Sequence, residues 1–175
     1  IVHTNTMKFL VVGLGSMGKR RIRCLKVLDQ ENIIGVDIRK DRRDEATRLF
    51  NIKTLESLEK AYINCKPDAV LVCNNPVQHA ADIKEAISYD CHVFSEISII
   101  PDGMDEIISA SSKKKLVIAA SCTFRFKEPI KKLKSMIHEE HIGKIYAYDY
   151  HYGQYLRDWH PWEDIRDFFV SNPRT

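Results

Sequence analysis

The chain has 175 residues, 44% hydrophobic and 29% charged, an ordinary globular balance with length for one sound core and the start of a second. Its net charge of +3 is mild, and the dense basic clusters at 113–115 and 131–134 suit solvated helix faces, not a nucleic-acid footprint. No apolar run reaches the roughly 18 residues of a membrane span, there is no signal-peptide pattern, and Cys24, Cys65, Cys73, Cys91 and Cys122 lack the CxxC spacing of a zinc or redox site.

Residues 1–7 read as an extension ahead of the first strand. KFLVVG (8–13) is a short apolar run ending in glycine, hence a buried strand. Residues 16–29 follow with Ile22, Leu25 and Leu28 on one helical face, and NIIGVDI (32–38) is a second buried strand. Residues 41–50 and 55–64 are charged and amphipathic, which predicts two helices. DAVLVC (68–73) is a third strand, and Asn75-Pro76 opens a helix to about residue 89, since proline suits a first turn. Then come the strand CHVFSEI, a helix from Asp102 to about Lys113, and the strand KLVIAAS. Strands alternating with helices of this length predict parallel βαβ units with both sheet faces covered, a doubly wound α/β domain over 8–123.

From 124 to 175 the rhythm changes. A basic helix at about 128–140 leads to KIYAYDYHYGQY, whose alternation predicts one face of an open antiparallel sheet. The sequence thus predicts a second α/β domain that begins and does not complete its unit. The cysteines fall mostly in apolar runs, where a free thiol behaves as a small buried hydrophobe, and a reducing cytoplasm is the expected location.

GLGSMG, comprising Gly13, Leu14, Gly15, Ser16, Met17 and Gly18, matches G-x-G-x-x-G. The pattern gains force from its context, because it follows a strand, opens a helix, and is followed at about 20 residues by the strand-ending acid Asp37. Gly13 permits the tight turn, Gly15 lets the backbone approach a pyrophosphate, and Gly18 lets helix and strand pack closely. Lys19, Arg20, Arg21 and Arg23 crowd the start of that helix, where positive charge opposes the macrodipole. A bound pyrophosphate would answer them; water reaching long side chains is the alternative. Asp37, with Ile38 and Arg39 beside it, would accept ribose hydroxyls and repel a 2′-phosphate, which favours NAD. Arg39, Lys40, Arg42 and Arg43 keep NADP open as the alternative.

With DAVLVCNNPVQHA, HVFSE and the FRF of 124–126 added to the glycine loop, the chain from about residue 8 resembles the glucose–fructose oxidoreductase, inositol dehydrogenase and MocA-like family. Its ending, YGQYLRDWHPWEDIRDFF, is similar to members associated with surface-sugar and nonulosonic-acid biosynthesis. The resemblance implies a Rossmann domain followed by an open-sheet α/β domain that often forms a homo-oligomer interface. It also implies hydride transfer between nicotinamide and a hydroxyl of a sugar, sugar nucleotide or cyclitol. It places Cys73, Asn74, Asn75, Pro76 and His79 along the ribose–nicotinamide side, although Asn74-Asn75-Pro76 departs from the family's usual Thr-Pro-Asn order.

Glu96 stands alone in an apolar, strand-like run, where an unpartnered charge would cost several kcal/mol. The resemblance matches it to the glutamate of a Glu-Lys-Pro triplet, a contact near the nicotinamide ribose; an exposed edge carboxylate is the alternative. Ile97 and Ser98 occupy the places of the lysine and proline. That lysine handles the hydroxyl proton with a histidine of the second domain, and the family's Asp-x-x-x-His segment is also absent. Thr175 falls near the middle of a family member's length, so the sequence reads as a fragment or a natural truncation.

His138-Glu139-Glu140-His141 lacks the spacing of H-E-x-x-H, and no metal is expected. Tyr155, Asp158, Trp159, His160, Trp162 and Glu163 gather the aromatic and polar groups that hold sugars, and the edge of a partial core accounts for them equally well. Arg125, Tyr155, Trp159 and His160 are the candidate substrate residues. Two readings remain: an NAD-dependent sugar oxidoreductase, or a catalytically degenerate nucleotide-binding scaffold.

Overall fold

Short aliphatic runs bounded by glycine or charge become the largely buried central strands, and the helices between them lie along the sheet they form. The protein, as a computed structural model, is described over residues 7–97, 101, 103–159, 161, 164–166 and 169–171. It divides between Ser121 and Cys122 into two compact units.

In the first unit the order is β1 (Phe9–Val12), α1 (Ser16–Val27), β2 (Ile33–Val36), α2 (Lys40–Phe50), β3 (Lys53–Leu55), α3 (Leu58–Cys65), β4 (Ala69–Val72), α4 (Pro76–Ser88), β5 (His92–Ser95), α5 (Met104–Lys114) and β6 (Ile118–Ala120). The six strands are parallel in the order β3-β2-β1-β4-β5-β6. That is a doubly wound Rossmann sheet whose strand order reverses between β1 and β4.

Alternation along the strands sorts two cores. Leu10, Val12, Val36, Val70, Val72 and Val93 meet Tyr62 of α3, Ile83 and Ile87 of α4 and Ile107 of α5 on one face. Val11, Ile33 and Leu71 meet Ile22 and Leu25 of α1 and Ala46 of α2 on the other.

Two details differ from expectation for visible reasons. The helix read over 55–64 is present as α3 but starts later, at Leu58, with the Ser57 hydroxyl accepting from Lys60 N–H at 3.2 Å, and the strand β3 ahead of it was not expected. The Lys-Thr-Leu of β3 is a three-residue edge strand and carries no apolar run to betray it. Among the cysteines, Cys73 and Cys91 are buried, while Cys24 and Cys122 are exposed because they fall on the outer side of α1 and beyond β6.

The second unit contains a 3₁₀ turn (Thr123–Phe126), α6 (Glu128–His138), a short α7 (Leu156–Trp159) and a 3₁₀ turn (Phe169–Ser171). The sheet expected over 144–155 does not form: among the described residues no strand lies there, and Tyr146, Tyr148, Tyr150 and Tyr152 are exposed. An alternating segment becomes a strand only when a neighbour takes its backbone hydrogen bonds and a layer covers one face. No such neighbour occurs among the described residues.

The β1–α1 turn fixes the geometry of the carboxyl edge. Gly13 has φ +87°, and a Cβ there would stand 2.8 Å from the Asn74 backbone. A Cβ on Gly18 would lie 1.9 Å from the Gly13 carbonyl oxygen. Gly18→Ala is therefore expected to destabilise the protein by about 2 kcal/mol or more in urea unfolding. Gly15→Ala, whose Cβ would meet nothing nearer than the Arg42 guanidinium at 3.6 Å, should stay within about 1 kcal/mol of wild type.

Candidate functional site

The carboxyl ends of β1, β2, β4 and β5 gather the groups of interest, and the glycine loop is their centre. Gly15 precedes α1 with an ordinary extended backbone (φ −69°, ψ −161°), and no side chain caps the helix. By contrast α3 and α4 are capped by Ser57 and Asn75. The first turn of α1 therefore keeps its free N–H groups and partial positive charge, the arrangement that receives a phosphate. Packing within the protein demands glycine at 13 and 18; at 15 a Cβ would make only ordinary contact with the Arg42 guanidinium.

Asp37 follows β2 and is buried, 8% exposed. Its Oδ2 accepts the Leu14 N–H at 2.8 Å and its Oδ1 accepts the Arg39 N–H at 2.9 Å. Each carboxylate oxygen has a second lone pair, so both can still receive a hydroxyl. Arg42 Nη1 stands 3.7 Å from Oδ2, and Arg43 Nη1 donates to the Asp37 and Ile38 carbonyls at 2.8 Å, holding the turn. Ile38 itself is 82% exposed. Arg39 and Lys40 are paired with Asp41 and Asp44, so Arg42 is the cation nearest the glycine loop of this group.

Past β4, Asn74 packs against Gly13 and donates through Nδ2 to Asp82 at 2.6 Å and Gln78 at 3.1 Å. Cys73 is nearly covered, and burial pushes its thiol up to about 12, which leaves it neutral. Asn75 and Pro76 begin α4 as cap and first-turn proline. His79 differs from its expected place along the ligand side: it is fully buried, and its Nε2 meets the Asn74 carbonyl at 3.0 Å. Its place is beneath the loop, because α4 turns that face into the core. Its Nε2 carries the hydrogen, and Nδ1 is buried without a partner among the described residues.

Glu96 follows β5, its N–H donating to Val72 O at 2.9 Å. Its expected partner was a cofactor; the partner present is Arg21 of α1, whose Nε donates to Oε1 at 2.5 Å. Arg21 Nη2 also donates to Ser121 Oγ at 2.9 Å, and its guanidinium lies 4.9 Å from the Phe94 ring. Two of the four cations at the start of α1 are thus answered within the chain, since Lys19 pairs with Glu45 at 2.8 Å. Sequence reasoning saw the basic cluster and the lone carboxylate without joining them. Ile97 follows at 65% exposure.

In the second unit Arg125 and Tyr155 are exposed, and Trp159 ends α7. His160, Trp162 and Glu163 lie outside the described residues, as do Ser98 and Asp102. Among the described residues no three His, Cys, Asp or Glu side chains converge on a metal position, and no helix is long and apolar enough to cross a membrane.

Residues 7–122 match the profile of the oxidoreductase family with NAD-binding Rossmann fold, GFO_IDH_MocA. The chain is 28% identical over 142 residues to myo-inositol 2-dehydrogenase of Thermotoga maritima, covering 79% of this chain and 42% of that protein. It is 25% identical over 137 residues to the uncharacterized oxidoreductase YrbE of Bacillus subtilis, covering 76% of this chain and 40% of that one. The fold superimposes with a TM-score of 0.76, at 18% identity, on the WlbA dehydrogenase of Bordetella pertussis solved in complex with NADH and UDP-GlcNAcA, over 83% of this chain and 43% of that one. The chain thus spans about four-tenths of the length of these relatives.

One consequence of the buried His79 is measurable. Burial holds its imidazole below the ordinary 6.5, with the Asn74 carbonyl working in the opposite direction. The unfolded chain therefore takes up the proton first, so stability present above pH 6.5 is lost as pH falls toward the folded value. Burial raises the Asp82 carboxyl, which acts in the opposite sense at lower pH. Denaturant midpoints should fall between about pH 7.5 and about pH 5.5 in wild type and fall less in His79→Gln.

Proposed function

This chain belongs to the GFO_IDH_MocA oxidoreductase family with its NAD-binding Rossmann fold, and on that premise we propose that it holds NAD(H) across the carboxyl edge of its sheet and serves hydride transfer to or from a hydroxyl of a sugar, sugar nucleotide or cyclitol. The observation that carries the first part is Gly15: a glycine that no contact within the protein requires, at an uncapped helix N-terminus. The absent side chain is explained by a ligand pyrophosphate that comes close to the backbone there.

In this reading the N–H groups of Ser16 and Met17 receive the pyrophosphate, and Gly13, Leu14 and Gly18 hold the turn. The Asp37 carboxylate takes the adenosine ribose hydroxyls, and the exposed Ile38 offers an apolar face beside Arg39. Cys73, Asn74, Asn75 and Pro76 line the far half, with Glu96 at its ribose and His79 holding the Asn74 loop from beneath. When bound, the nicotinamide supplies the hydride donor or acceptor. Arg125, Tyr155, Trp159 and His160 are the proposed substrate residues. The reading also carries a cytoplasmic location and a homo-oligomer through the tyrosine-rich segment 144–155. Activity as an oxidoreductase on such hydroxyls is in keeping with the relatives named above.

Ile97 favours a second reading. If it replaces the lysine that the family places after the glutamate, it can neither take nor give the hydroxyl proton, and the chain would be a cofactor-binding protein with lost catalysis. Positioned proton transfer is worth about 10²–10⁴-fold in rate.

Titration calorimetry tests the cofactor half. NAD should bind wild type more tightly than NADP, Gly15→Val should abolish binding with little change in melting temperature, and Asp37→Ser should narrow the gap between cofactors. Equal binding by wild type and Gly15→Val would overturn the placement. NADH formation with a panel of sugars and sugar nucleotides tests the rest. Turnover by the 175-residue chain should be weak or absent. Ile97→Lys in a version carrying a whole substrate domain should raise turnover by about tenfold or more. Strong wild-type turnover that the lysine leaves unchanged would place the proton-handling group elsewhere.

A further inference from the structure

Glu96 and Arg21 form a pair with a use beyond fastening α1 to the sheet. Both side chains are largely covered, at 15% exposure for Arg21 and 12% for Glu96, so solvent screens their charges weakly. The pair is held from three sides: by the Glu96 N–H on Val72 O, by Arg21 Nη2 on Ser121 Oγ, and by the guanidinium against the Phe94 ring. Its place in the sheet matters most. The glycine loop and Asp37 stand at the ends of β1 and β2, whereas Glu96 stands at the end of β5, across the point where the strand order reverses. A dinucleotide whose adenosine half lies on Asp37 must extend its other half over β4 and β5.

The two redox forms of that other half differ in charge: the oxidised nicotinamide ring is a cation, and the reduced ring is neutral. A bare carboxylate beside it would favour the oxidised form, and a bare guanidinium would oppose it. Cys73, the neighbouring thiol, is neutral and contributes no charge. We propose that Arg21 is a positioning residue that neutralises Glu96 at the nicotinamide end and thereby sets the relative affinity for oxidised and reduced cofactor. This rests on the cofactor placement proposed above. Arg21 acts through Glu96, whose Oε1 it holds while Oε2 makes no hydrogen bond among the described residues.

The test compares dissociation constants for NAD⁺, NADH and ADP in the 175-residue chain and four variants: Arg21→Met, Arg21→Lys, Glu96→Gln and the Arg21→Met/Glu96→Gln double. Removing Arg21 should shift the NAD⁺/NADH preference toward NAD⁺ by roughly five- to twentyfold, the size of one uncompensated charge about 10 Å away in a partly screened site. Glu96→Gln should shift it the other way. The double variant and Arg21→Lys should return the ratio to near that of wild type. ADP, which lacks both the nicotinamide and its ribose, should bind all five proteins within about twofold. A merely structural Arg21 would weaken all three ligands together and leave the ratio unmoved, and that result overturns the proposal. So does a shift of the same sign in Arg21→Met and Glu96→Gln. If Arg21→Met does not fold, Glu96→Gln decides alone, and an unmoved ratio there is contradictory. Failure of wild type to bind either dinucleotide would instead strike the cofactor placement itself.

Discussion

The close approach of Gly18 to the Gly13 carbonyl sets the place of α1, and the position of α1 sets nearly everything else at the carboxyl edge. With no side chain between them, the helix starts directly above the end of β1. From there its open first turn faces the loop, and Leu14 N–H reaches the Asp37 carboxylate. Its second turn carries Arg21 to Glu96 and Ser121, past the ends of β5 and β6. The β4 loop closes on the same turn through Asn74, which His79 and Asp82 hold from the α4 side. A cavity-sized shift in this one contact would move groups contributed by five strands.

Electrostatics divides that edge into two halves. The glycine-loop half combines an uncapped helix dipole, Arg42 and a carboxylate already bonded to two backbone N–H groups, a setting suited to phosphate and ribose together. The β5 half holds a nearly covered ion pair and a neutral thiol, with little net charge to impose on an occupant. Such a division fits a ligand that is anionic at its centre and changes charge at one end.

Much of this was legible in the chain because the signals are local. The buried strands are continuous aliphatic runs, and the glycine loop announces itself by what precedes and follows it. The edge strand β3 was not legible, since three residues, Lys-Thr-Leu, pair with β2 without an apolar period. Nor was the partner of Glu96, which lies 75 residues away in sequence and is brought near by the winding of the sheet. His79 looked like a ligand contact because the motif lies beside it, while the helical period of α4 turns it inward. The tyrosines of 144–155 show the limit from the other side: their alternation is a strand pattern, but a strand also needs a neighbour.

The central claim is that a dinucleotide lies over the carboxyl edge, from the β2 end to the β5 end. Amide chemical-shift mapping of the ¹⁵N-labelled chain during titration with NAD⁺ tests it most directly. The account requires the largest shifts at Gly15, Ser16 and Met17, with further shifts at Ile38, Asn74 and Glu96. The first unit has an open groove at the opposite, amino edge, lined by Lys66, Pro67, Asp68, Tyr89, Asp90 and His92. Shifts concentrated there, with the glycine loop unmoved, would contradict the account.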